Sequence, residues 1–139
     1  RHEIELEKYI KKVQIESRMM GELATSHVLP AAIRYQNVLI NNIKGLKDLG
    51  MQPASYKAQL NVLNEISEHI NKVQILTEEM TDARKAANAL EGSREKAIAY
   101  CDKVKPYFDD IRYSVDKLEL LVDDSEWELP KYREMLFLR

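Results

Sequence analysis

The apolar positions of this chain fall into helical stripes, and the sharpest stripe lies between Ser93 and Val122. Ala97, Cys101, Val104, Phe108, Ile111, Val115, Leu118 and Val122 follow one another at spacings of 4, 3, 4, 3, 4, 3 and 4. A helix with this pattern turns one continuous seam toward neighbouring helices. The seam implies that Cys101 is a small buried hydrophobe. Asp102, Asp109, Asp116 and Asp123 recur every seven residues on the outer face. Pro106 stands mid-helix on the side away from the seam and shares its heptad position with Tyr113 and Leu120. A proline there removes the bond to the carbonyl of Asp102, at roughly 3 kcal/mol. A kink is therefore expected, and something must make it tolerable.

The same pattern predicts two further long helices. Over residues 3–49, Leu6, Ile10, Val13, Met20 and Leu23 set one stripe, and Ala32, Tyr35, Leu39, Ile43 and Leu46 set another. Between them lies Pro30, which cannot donate to the carbonyl of Ser26 and pushes Leu29 away from helical geometry. No glycine or polar loop follows, so a kinked rod is expected, counted as one helix or two. A straight 45-residue helix would be about 68 Å long, so a bend or a projecting end is required in a domain of this size. Asp48 to Ser55 reads as a loop, with Gly50 as the helix C-cap and Pro53 just beyond. From Tyr56 to Leu90, Leu63, Ile66, Ile70, Val73, Thr77, Met80, Arg84 and Ala87 keep the helical spacing. Glu91-Gly92-Ser93 forms a short connection, with Gly92 at C′ and Ser93 as the next N-cap. So short a link makes the second and third helices antiparallel neighbours. Acidic residues from Asp123 to Glu126 oppose the macrodipole and end the third helix there. Trp127 to Pro130 is then extended, and Pro130 opens a short last helix over 131–137.

The fold class is thus all-α: an antiparallel bundle of three long helices, the first kinked at Pro30, with a C-terminal tail and short helix. Composition supports it. A chain of 139 residues with 4 Gly, 4 Pro and 32% charged residues favours long helices in one domain, 1–139. A net charge of −2 gives no basic footprint for nucleic acid. No apolar run approaches the roughly 20 residues that cross a bilayer. A single cysteine excludes an intrachain disulfide, which agrees with a cytoplasmic setting. The chain opens on Arg1-His2-Glu3-Ile4 without an N-cap signal, as if cut from inside a longer protein.

Candidate chemistry is sparse. His27 and His69 read as structural or solvated histidines, because no His-Glu-x-x-His or Glu-x-x-His metal motif accompanies them. The aspartate stripe reads as a solvated face, partly neutralised by Arg112 between Asp109 and Asp116. No glycine-rich phosphate loop and no nucleophile with a base is present. No catalytic, cofactor or metal residue is therefore assigned. What resists a purely structural account is apolar surface. Tyr113 and Leu120 make α-helical residues apolar on a second side. Trp127, Tyr132 and Phe137 concentrate large side chains in 123–139, a docking tail that either folds back on its own bundle or docks on another domain or subunit. These five are the candidate interface residues.

Three stretches carry a resemblance. They are His27-Val28-Leu29-Pro30-Ala31-Ala32-Ile33-Arg34-Tyr35-Gln36-Asn37, then Glu95 to Phe108 continuing through Ile111-Arg112-Tyr113 to Val115-Asp116-Lys117-Leu118-Glu119, then Trp127-Glu128-Leu129-Pro130-Lys131-Tyr132-Arg133-Glu134-Met135-Leu136-Phe137. Together they resemble the C-terminal helical domain of type III glutamine synthetase, a bacterial form, over essentially the whole chain. Glu128 departs from the family, which tends to have a second proline there. The resemblance implies a parent enzyme that joins ammonia to glutamate with ATP and magnesium through a γ-glutamyl phosphate. It implies a dodecamer of two stacked hexameric rings, with the metal-binding glutamates and phosphate-binding arginines upstream. None of those motifs occurs here. The expected partners are the upstream catalytic domain of the same chain and further copies in a homo-oligomer. The fragment alone is expected to be inactive. The alternative is a stand-alone helical module that binds an amphipathic helix in a groove.

Overall fold

The computed structural model describes residues 2–127, and the expectations for Tyr132, Phe137 and the short helix over 131–137 lie outside them. Helix α1 (His2–Leu23) runs through a π turn (Ala24–Val28) into α2 (Leu29–Asp48). A 3₁₀ turn (Pro53–Tyr56) leads into α3 (Lys57–Asn88). Helix α4 (Ser93–Ala99) runs through a second π turn (Tyr100–Val104) toward α5 (Tyr107–Leu121), and a 3₁₀ turn (Asp124–Glu126) follows. The described residues contain no strand. Three rods result, as the stripes require.

Side-chain bonds between the rods give their directions. Gln14 meets Asn88, Gln36 meets Ser67 and Gln59 meets Asn42. Position rises on the first rod as it falls on α3, so these two are antiparallel. Gln14 also meets Tyr100, while Arg34 reaches Glu126, so the first and third rods run parallel. One core lies between them. Val13, Ala24, Val28, Ala32 and Leu39 enter it from the first rod. Ile66, Val73, Met80 and Ala87, spaced by sevens, enter from α3, and Val104, Phe108, Ile111, Val115, Leu118 and Val122 from the third. Each large aliphatic side chain buried there contributes about 1.5–3 kcal/mol. The core closes within one chain, as an independently folding unit requires.

Both mid-helix prolines are accommodated in the same way. Leu29, just before Pro30, donates its N–H to Ala24 O, five residues back. Lys105, just before Pro106, donates to Tyr100 O at 2.9 Å, again five back. Each wide turn carries the chain into its proline, whose ring would otherwise meet the carbonyl four residues earlier. The expected kinks are therefore single π turns. The second one overturns the reading of Cys101. The wide turn holds one extra residue, so Tyr100 takes the core position, at 0% exposure, and Cys101 is exposed.

The loops also sharpen the sequence reading. Gly50 has φ +82°. Met51 N–H bonds Leu46 O at 3.1 Å and Gly50 N–H bonds Lys47 O at 2.9 Å, a Schellman closure of α2. Gly50→Ala should lower stability by about 1 kcal/mol, because a β-carbon resists the left-handed conformation; a urea melt against wild type checks it. Gly92 differs from expectation. Its φ is −79° and it is itself the N-cap of α4, with Ser93 the first helical residue. The Glu95 carboxylate folds back over Gly92, into the space a β-carbon would take. The glycine serves that close approach, not a left-handed turn. After α5, Asp123 caps the 3₁₀ turn by accepting from Ser125 N–H at 2.9 Å.

Candidate contact surface

The apolar second side of the third rod is open to solvent. Tyr113 is 58% exposed and Leu120 62% exposed, and Pro106 is exposed on the same side. A groove of about 320 Å³ runs beside Tyr113 between α5 and α3. Asp110, Tyr113 and Ser114 form its α5 wall, and Lys72, Ile75 and Leu76 form its α3 wall. Ile75 is itself 55% exposed. The heptad reading found Tyr113 and Leu120 but missed the opposite wall. The available signal was an isoleucine that does not belong to the apolar stripe of α3.

Tyr113 is held in place from below and beside. Its ring stands edge-on to the His69 ring, with centroids 6.2 Å apart and planes at 63°. The Lys117 ammonium lies 5.4 Å from the Tyr113 ring centroid, within range of a cation–π attraction. His69 is only 8% exposed, and its Nδ1 shares a 3.2 Å hydrogen bond with Ser114 Oγ across the α3–α5 interface. Burial, with help from Lys72, holds the His69 imidazole below its ordinary pKa, against the opposing pull of Glu68 and Glu65. His69 is thus a structural histidine, wedged beneath an exposed aromatic.

The remaining candidates separate from this surface. Trp127 is half-buried and packs on the core of its own bundle, while its neighbour Glu126 receives Arg34 at 3.4 Å. Arg112 pairs with Asp109 at 3.3 Å, the local neutralisation that the aspartate stripe suggested. Burial, with help from neighbouring Cys101, pushes the Tyr9 phenol up to about 12. Among the described residues, no group of three or more His, Cys, Asp and Glu side chains could hold a metal ion. No helix among them is long and apolar enough to cross a membrane.

Known proteins give that surface a setting. The glutamine synthetase C-terminal domain family model matches residues 1–47. A glutamine synthetase from Bacteroides fragilis (strain YCH46) is 44% identical, covering 100% of this chain and 20% of that protein. A type-3 glutamine synthetase from Dictyostelium discoideum is 28% identical, covering 100% of this chain and 19% of that protein. A glutamine synthetase from Butyrivibrio fibrisolvens is 27% identical over 99% of this chain and 19% of that protein. The chain spans about a fifth of the length of the curated relatives it matches.

Proposed function

Because the chain belongs to the glutamine synthetase family as its C-terminal domain, we propose that it is a non-catalytic bracing domain, which docks through the Tyr113–Leu120 face. The parent enzyme, on this reading, is of the type III class; a relative named type-3 supports that finer placement. The parent would be a cytoplasmic ligase that joins ammonia to glutamate. ATP and magnesium would be handled upstream, and no residue of this chain is assigned to either. The partner is the catalytic domain of the same chain or of another copy in a homo-oligomer.

The observation that carries the proposal is the exposure of Tyr113 and Ile75 on facing walls of one groove, with Leu120 exposed further along α5. Large apolar side chains gathered on one face mark contact sites more often than scattered single ones do. The bundle needs none of these three to close its core. An enclosing partner would also remove their apolar area from water, at about 25 cal/mol per Å².

The test is a Tyr113→Glu, Leu120→Glu double variant of the full-length synthetase. In the isolated 139-residue chain these exposed substitutions should change stability by no more than about 0.5 kcal/mol each. In the full-length enzyme they should lower the assembled mass in light scattering, or lower the activity. Unchanged mass together with unchanged activity would sink the proposal.

A further inference from the structure

The contact face sits directly on a buried histidine, and that juxtaposition has a chemical consequence. His69 belongs to α3, while both of its close partners belong to α5: Ser114 by a hydrogen bond at 3.2 Å and Tyr113 by an edge-on ring contact at 6.2 Å. Ser114 is as deeply buried as the core. We infer that the α3–α5 seam is a proton-sensitive latch, in which protonation of His69 loosens α5 at Ser114 and shifts Tyr113 within the contact face. The inference rests on the reading of that face as a docking surface.

The charges around the ring do not favour an imidazolium in place. On its own helix, Glu65 and Glu68 favour the cation and Lys72 opposes it; on α5, Lys117 opposes it. Asp110 lines the groove on the α5 side. Helix α2, on another side of α3, presents the neutral Gln36 to Ser67. Two glutamates and two lysines roughly offset each other, so burial decides. An imidazolium held among apolar groups must find water or a carboxylate. Tyr113 both meets the His69 ring edge-on and lines the groove, so an imidazole that moves toward water on that side displaces Tyr113.

The sign follows from linkage. Burial lowers the folded-state pKa of His69 below its ordinary 6.5. The unfolded chain therefore takes up this proton first as pH falls. The stabilisation is complete above the ordinary value and is lost between there and the lowered folded value.

The chain has three histidines, so a ¹³C-histidine-labelled 139-residue sample gives a readable titration. His69→Gln identifies the signal by its loss. The expected result is a His69 midpoint below 6.5, with the Tyr113 ring resonances moving through the same midpoint. That Tyr113 movement should vanish in His69→Gln. If this variant does not fold, Ser114→Ala keeps the imidazole and removes the tie, and should uncouple the Tyr113 movement from the His69 midpoint. Tyr113 resonances that stay fixed while His69 titrates would overturn the latch. That failure is separable from failure of the docking proposal, which is read in the full-length double variant at one neutral pH.

Discussion

Tyr100→Ala is expected to destabilise the chain by about 3–5 kcal/mol, the range for deleting a fully buried aromatic. The ring is wholly buried where the second π turn meets α3. Its hydroxyl donates to Asn88 Oδ1 and lies 3.2 Å from Gln14 Nε2, and Gln14 also reaches Asn88 at 3.0 Å. One side chain thereby ties all three rods at one end of the bundle. Tyr100→Phe keeps the ring and strips the hydroxyl, at about 1–3 kcal/mol for polar groups left without a partner. Cys101→Ser, one position on, should stay within about 0.5 kcal/mol because that side chain is exposed. Urea midpoints with unchanged slopes would report all three. If Cys101→Ser proved costlier than Tyr100→Phe, the wide turn would have the wrong residue facing inward.

Ile66→Asp should be at least as severe, at about 4 kcal/mol or more, enough to leave much of the chain unfolded at neutral pH. Ile66 is wholly buried on the face of α3 that meets the other rods. A carboxylate there has neither water nor a cation, and an isolated buried charge is among the costliest substitutions. The same exchange at Ile15, which is exposed on α1, should be close to neutral. Lys11 lies four residues before it and offers a favourable neighbour. Circular dichroism and thermal melts of the two variants give the comparison. Equal losses at both positions would mean that the chain packs its isoleucines differently from the bundle described.

The fold was largely legible because the apolar stripes are long and periodic. The three rods, the antiparallel middle helix and the Gly50 closure all follow from spacing and loop residues. What periodicity could not place was a phase change inside a helix. A heptad count assumes equal turns, so it carried Cys101 into the core and left Tyr100 outside. Pro106 was the warning, since a proline inside a helix demands some local adjustment, but it does not say which adjustment. Gly92 was misread for a related reason. A glycine between helices suits a left-handed stop, yet here the returning Glu95 side chain needs the space. The contact surface was half legible. Tyr113 and Leu120 broke the pattern of their own helix, whereas Lys72, Leu76 and Asp110 join the groove only through the way α3 lies against α5. The pairing of His69 with Ser114 was invisible for the same reason, since 45 residues separate them.

The two π turns also determine where this architecture can change its length. In a strict heptad, one added or lost residue rotates everything beyond it off the seam. Between 24 and 28, and between 100 and 104, each rod already holds a single-residue insertion, with a proline directly downstream. Before the second insertion α4 leans on α1; beyond it α5 leans on α3. The insertion works as a phase shifter that lets one rod serve two neighbours in turn. For lineage comparison, these are the places where a one-residue gap in an alignment would mark a swap between wide and ordinary turns, leaving the helices on either side in register.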